Sequence, residues 1–131
     1  MKALLIYLGG LILVFGALAL LISMPAEPTR AFVVVDSSFP MRQVWAQVPD
    51  ALDDIESQGY SAFALATEKD GVHTWQDKLQ LRSTTAFAPC DFSEIGSYSE
   101  ATEADERILI TTGESCATDA LTEWRVVELE P

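Results

Sequence analysis

The 131-residue chain is poor in the residue types that many enzymes and nucleic-acid-binding proteins require. It carries 8 Lys and Arg against 20 Asp and Glu, for a formal net charge of −12. It has one histidine, His73, and two cysteines that do not form a Cys-x-x-Cys motif. The shortage of basic residues excludes a nucleic-acid partner bound through its phosphates. A single histidine excludes a zinc site built on a histidine pair.

Motifs for phosphate binding and nucleophilic catalysis are also missing. The sequence contains neither a Gly-rich phosphate loop nor a Gly-x-Ser-x-Gly nucleophile elbow. A Ser-His-Asp triad would have to use His73, which lies within a predicted hairpin and is most simply a surface or rim residue. We therefore expect no catalytic residues, no cofactor and no enzymatic activity.

An apolar segment dominates the N-terminal part of the chain. Residues Ala3 to Ile22 form an uncharged run of 20 residues. At about 1.5 Å per residue, a helix of this length matches the roughly 30 Å hydrocarbon core of a bilayer. We predict a transmembrane signal-anchor helix over residues 1–24, a linker over 25–30 and one acidic domain over 31–131.

The same segment has a second interpretation, a cleaved secretory signal. Its small-x-small candidate, Ala17-Leu18-Ala19, lies inside the apolar run, and Met24-Pro25-Ala26 places a bulky Met where a small residue is required. An uncleaved anchor in the inner or cell membrane is therefore favoured. Lys2 lies on the short side of the run, so the positive-inside rule predicts a cytoplasmic N-terminus. The C-terminal domain would then be periplasmic or extracellular.

Small residues recur along the predicted helix at intervals of seven. Because small side chains let helix backbones approach closely in lipid, they predict contact with a membrane-embedded protein partner, besides the lipid bilayer. The alternative is that Gly and Ala are simply common in such helices. The helix-packing candidates are Gly9, Gly10, Gly16, Ala17 and Ser23.

The exported domain is strongly acidic and holds both cysteines. Because Lys2, Glu27 and Arg30 precede it, residues 31–131 carry 6 basic and 19 acidic side chains, a formal charge of −13. This charge suits a basic partner or a cation, but it also serves solubility in a salty medium. In an oxidising compartment, Cys90 and Cys116 are expected to form a disulfide, with two unpaired thiols as the alternative.

The residue pattern of this domain predicts an α/β fold with a mostly parallel sheet. The continuous apolar run at 31–35 is typical of a strand buried on both faces, and 61–66 and 107–110 are predicted to be two further buried strands. A helical pattern from Val44 to Ile55 follows the first run, and Pro49 should kink or restart it. The turn 68–71 predicts a hairpin to residues 72–81, while 83–106 is expected to be irregular. A short helix at 117–121 and a strand at 123–129 complete the order β-α-β-β-loop-β-α-β.

Polar residues follow three of the predicted strands, at 36–38, 67–68 and 111–114, where ligands bind in open α/β sheets. The segment VVVDSSFPM resembles the first strand and metal-binding loop of von Willebrand factor A-like domains, and ILITTG is similar to a later strand. The resemblance, over residues 31–115, implies a divalent-metal site using Asp36, Ser38 and either Thr84 or Thr85. Pro40 supplies no oxygen at the third ligand position, and Thr112 replaces an aspartate.

The chain is shorter than the family norm and keeps few of its metal positions, so the resemblance implies a degenerate member. We expect no bound metal; if one is present, its ligands are Asp36, Ser38 and Thr84. The alternative role for Asp36 and Ser38 is to cap the following helix. We predict a non-catalytic accessory subunit, assembly factor or interaction factor of a membrane complex. The second hypothesis is an anchored metal- or ligand-binding module of the adhesion type.

Overall fold

The structure of the protein, a computed structural model, describes residues 1–22, 29–82, 86 and 88–131. Helix α1 spans Lys2–Ile22, and all of its residues are exposed. Its 21 residues, with a mean hydropathy of 2.7 over an 18-residue window, make it long and apolar enough to cross a membrane. The predicted anchor end at 24, with Ser23, and most of the predicted linker lie outside the described residues.

The described residues after α1 form a five-stranded α/β domain, as predicted. The strands are β1 (Arg30–Val35), β2 (Ala62–Thr67), β3 (Gly71–Gln76), β4 (Glu106–Thr111) and β5 (Arg125–Glu128). The helices are α2 (Val48–Glu56), α3 (Ser99–Glu103) and α4 (Ala117–Ala120), with 3-10 helices at Phe39–Gln43, Trp45–Gln47 and Ile95–Ser97. Strand β1 begins at Arg30, the last residue of the predicted linker.

The sheet has the strand order β3-β2-β1-β4-β5. Strands β1, β2, β4 and β5 run parallel, and β3 is an antiparallel edge strand paired with β2. This confirms the predicted mostly parallel sheet. The carboxyl ends of β1, β2 and β4 therefore meet at one edge of the sheet.

Strand β1 lies at the centre and is buried on both faces. Val33 and Val35 pack on one face with Met41 and α2, while Phe32 and Val34 pack on the other with α3 and α4. The period-two alternation of a strand produces this division. The domain thus has three layers, with helices on both faces of the sheet.

The start, the buried face and the end of helix α2 follow from its local sequence. Val48, Leu52 and Ile55 recur at helical spacing and are buried against the sheet. Pro49 lies in the first turn, where a missing N–H costs no intrahelical hydrogen bond. The predicted helix restart at this proline is confirmed, because 3-10 turns precede it and the α-helix begins at Val48. The helix ends before Gly59, whose φ of +85° suits glycine.

Two local predictions were incomplete. The Asp70-Gly71 turn does join β2 to β3, and Gly71 has a φ of +69°. The hairpin strand ends at Gln76, however, rather than continuing to residue 81. The segment expected to be irregular contains α3, whose buried Ala101 packs against the Phe32 face. One buried residue in five gives too weak a periodicity to indicate this helix.

Candidate functional site

The buried polar side chains of the domain lie together at the carboxyl ends of the parallel strands. Among the described residues, every polar side chain in the buried class lies here, although the rest of the core is apolar. The sequence placed all of these positions except Ser115 at strand ends, and the structure brings them together. They are Asp36, Ser37, Ser38, Thr67, Thr111, Thr112 and Ser115.

Asp36 joins the ends of two neighbouring strands. It is fully buried, and its Oδ1 accepts a hydrogen bond of 2.8 Å from the backbone N–H of Ser38. Its Oδ2 accepts a hydrogen bond of 2.7 Å from the hydroxyl of Thr111, at the end of β4. Both carboxylate oxygens therefore bind donors of the protein itself, as a buried charge requires.

Glu68 approaches the same loop from the end of β2. Its Oε2 accepts hydrogen bonds from both the backbone N–H of Ser37, at 2.6 Å, and the Ser37 hydroxyl. Its Oε1 is buried and has no hydrogen-bond partner among the described residues. Burial raises the pKa of Glu68 to about 7; the Ser37 donors act in the opposite direction, and the nearby charge of Asp36 raises it further.

Ser38 connects this loop to two other segments. Its hydroxyl lies 3.4 Å from the Ser115 hydroxyl, and its backbone forms a parallel bridge with Ala88. The Ser38 side chain makes no capping hydrogen bond to the 3-10 helix that follows, so its predicted capping role is wrong. Asp36, in contrast, does bind the backbone of its own loop, through the Ser38 N–H.

No known protein family, curated protein or solved structure matches this chain.

A cleft of about 310 Å³ lies beside Glu68. Thr67, Glu68 and Lys69 form one wall, and the segment from Ala88 to Tyr98 forms the other. Asp91 and Glu94 add two more carboxylates to the lining, while Ile95 contributes apolar surface. The cleft is thus an acidic pocket with apolar patches, of a size that a small molecule or a side chain would fill.

Of the predicted metal ligands, the structure places Asp36 and Ser38 in one loop, and Thr84 lies outside the described residues. Pro40 is the second residue of the 3-10 helix Phe39–Gln43 and offers no side-chain oxygen, as the sequence indicated. Within the described ranges, no group of three His, Cys, Asp or Glu side chains is arranged to hold a metal ion. A hard cation prefers six or more oxygens, which Asp36, Ser38 and Glu68 alone do not supply.

The cysteines lie close together at this edge of the sheet. Cys90 and Cys116 are at disulfide distance, with Cα atoms 6.3 Å apart, inside the usual range of about 4.4–6.8 Å. Cys90 belongs to the segment that walls the cleft, and Cys116 directly precedes α4. A bond between them would tie the cleft wall to the connection between β4 and β5.

The helix-packing candidates within α1 lie on an uncovered surface. A Cβ atom added at Gly9, Gly10 or Gly16 would meet no other atom within 4 Å, and Ala17 is exposed. The described part of the domain therefore does not cover this face of the helix. Ser23, the last candidate, falls outside the described residues.

Sequence reasoning assigned no role to Glu68. Glu68 directly follows β2, which pairs with β1 in the sheet. Its position at a strand end was the only signal in the sequence that could have indicated a role. Phe39, with 63% of its surface exposed, was likewise treated only as part of a motif. The contacts of Glu68 and the exposure of Phe39 depend on how segments that are distant in sequence pack together. The local sequence pattern does not indicate them.

Proposed function

We propose that this chain is a single-pass, membrane-anchored interaction protein, acting as a non-catalytic accessory subunit or assembly factor of a membrane complex. The observation that carries the proposal is the complete exposure of α1. A 21-residue helix of mean hydropathy 2.7 needs an apolar environment, and the described part of its own domain supplies none. Lipid and a partner helix are the natural environments, with the small-residue face toward the partner.

The proposed orientation places the N-terminus in the cytoplasm and the domain in the periplasm or extracellular space. Lys2 precedes the apolar segment, in agreement with the positive-inside rule. The cysteine pair at disulfide distance supports an oxidising compartment for the domain. The strong negative charge argues against direct docking on an anionic lipid surface and in favour of a protein partner.

The polar residues of the strand edge support a structural rather than a catalytic role. The carboxylate of Asp36 binds Ser38 and Thr111, and Glu68 binds Ser37. These contacts hold β1, β2 and β4 together at their carboxyl ends. Such a scaffold presents a rigid surface to a partner.

Topology and association test the proposal directly. A reporter that is active only outside the cytoplasm, fused after Pro131, should be active, with the full-length product in the membrane fraction. An N-terminally tagged chain, extracted in mild detergent, should co-purify a membrane protein. A soluble product that has lost α1, or a cytoplasmic reporter, would overturn the proposal.

The second candidate is a ligand-binding module similar to a degenerate von Willebrand factor A-like domain. The observation in its favour is the acidic cleft beside Glu68, whose buried Oε1 has no partner among the described residues. We expect no Mg²⁺ or Ca²⁺ binding tighter than the millimolar range, because Pro40 has no side-chain oxygen and Thr112 has a hydroxyl where the resemblance calls for a carboxylate. A micromolar site in calorimetry that Asp36→Ala abolishes would favour this candidate instead.

A further inference from the structure

Phe39 is an exposed aromatic residue at the carboxyl edge of the sheet. Among the described residues that follow α1, the large hydrophobic residues with high exposure are Phe39, at 63%, and Val126, at 40%. Phe39 directly follows the buried Ser38 and begins a 3-10 helix. An aromatic ring held in this way on a well-packed loop is a ready anchor for a partner, because most of its apolar area has yet to be removed from water.

A groove runs from Phe39 to the end of β5. Two adjoining clefts, of about 380 and 150 Å³, share Pro40, Gln43 and Glu114 as lining residues. Phe39 lines the first cleft, and Leu129 lines the second. We name this surface the Phe39 groove and define it by Phe39, Pro40, Gln43, Val44, Glu114 and Leu129.

The charges around the Phe39 groove are mainly negative. Among the described residues, Glu114, Glu128 and Glu130 line it, against the single basic side chain of Arg42. A Cβ atom at Gly113 would overlap the Glu128 carboxylate, so the glycine leaves room for this charge. A basic segment would complement this potential, and an acidic segment would be repelled.

The Phe39 groove lies at the opposite end of β1 from Arg30, the residue at which the strand begins. Arg30, at the start of β1, follows Ile22 by eight residues, which span roughly 28 Å at most when fully extended. Phe39 comes after the opposite end of β1, and the six residues of the strand rise about 20 Å. The acidic lining favours a protein occupant over an anionic lipid surface.

We infer that the Phe39 groove binds a basic peptide segment of a partner protein, in which Lys or Arg flanks an apolar side chain. The apolar side chain packs against Phe39 and Pro40, and the basic groups face Glu114 and Glu130. This inference rests on the proposed function as an interaction protein and assigns the surface that the partner contacts.

Peptide selection on the full chain tests the inference. The chain is placed in phosphatidylcholine nanodiscs, and phage-displayed 12-residue peptides are selected after removal of binders to empty nanodiscs. We expect enriched peptides that combine Lys or Arg with apolar residues. For a synthetic copy of the most enriched peptide, Phe39→Ser should weaken binding at least tenfold, and 0.5 M salt should weaken it further.

Two further variants keep the result interpretable. The double change Glu114→Lys with Glu130→Lys should also weaken binding at least tenfold, and it decides the outcome if Phe39→Ser fails to fold. Val126→Ser, which alters the other exposed hydrophobic residue, should change binding less than twofold. Failure to enrich basic peptides, or binding that the groove variants leave within twofold, would overturn the inference.

Failure of the groove assignment can be distinguished from failure of the proposed function. If the enriched peptide binds the Phe39→Ser variant and the Glu114→Lys, Glu130→Lys variant as tightly as the parent, while the parent chain co-purifies a membrane protein, the assignment of the Phe39 groove is wrong and the anchored interaction protein stands. If the chain is recovered as a soluble product without α1, the proposed function fails whatever the peptides show.

Discussion

The hydroxyl of Thr111 donates a hydrogen bond of 2.7 Å to the carboxylate of Asp36, joining the ends of β4 and β1 across 75 positions of the sequence. Both residues are fully buried. Because Asp36 also accepts the Ser38 N–H, this one carboxylate links two parallel strands and the loop that leads to Phe39.

Removing this carboxylate should destabilise the domain. Asp36→Ala removes the side-chain acceptor of the buried Ser38 N–H and the nearer acceptor of the Thr111 hydroxyl, which keeps only a 3.4 Å contact to the Thr112 carbonyl oxygen. We expect a loss on the order of 3 kcal/mol. Thr111→Val should cost about 1–2 kcal/mol, because only one donor is lost. Urea unfolding measures both changes. The exposed Thr122 offers a matched control, since Thr122→Val should stay within about 0.5 kcal/mol of the parent; equal effects at 111 and 122 would refute the role of the contact.

Glu68 should make stability depend on pH. Burial raises its pKa from 4.5 to about 7, so the folded state binds this proton more tightly than the unfolded state. Its contribution is therefore fully present below about pH 4.5 and is lost as the pH rises through 7. With allowance for solvent screening at this partly exposed side chain, the decrease is on the order of 2 kcal/mol. Urea unfolding at several pH values between 5 and 8 checks the direction.

Glu68→Gln should flatten this pH dependence, because the amide does not titrate. Glu123→Gln, a change at an exposed position, should retain the slope of the parent. A parent whose stability rises steadily between pH 5 and 8, relative to Glu68→Gln, would contradict the raised pKa.

Cys90 and Cys116 should be joined in the exported protein. Closing a loop over a sequence separation of 26 contributes on the order of 3 kcal/mol in the chain-entropy description. Reductant should therefore lower the melting temperature clearly. Mass spectrometry after alkylation without reduction should find neither cysteine modified, and two alkylated cysteines in the exported protein would rule out the bond.

The small-residue face of α1 should mediate association within the membrane. Replacing Gly9 and Gly16 by Leu should weaken co-purification of the membrane partner while leaving insertion intact, because the larger side chains separate the helix backbones. Leu11→Phe with Leu18→Phe enlarges the opposite face of the helix and serves as the control. If both double variants associate like the parent, the recurrence of small residues reflects composition alone.

Elements with strong local periodicity could be predicted before any contact was known. The apolar run predicts α1 because its length matches a bilayer, and the unbroken apolar strands predict a parallel sheet because each buries both faces. Pro49 and Gly59 mark the start and end of α2 through backbone chemistry that needs no distant contact. Weakly patterned elements escaped prediction, such as α3, where Ala101 is the single buried residue.

Packing between segments that are distant in sequence determines which strand-end residues contact each other. Strand order places β2 and β4 on either side of β1, and this order brings Glu68 to Ser37 and Thr111 to Asp36. Hydrogen bonds and burial between such segments arise only when the strands assemble, so local sequence does not report them. The same holds for Phe39, which the sequence presented only as part of the segment VVVDSSFPM, whereas the fold leaves most of its surface in water.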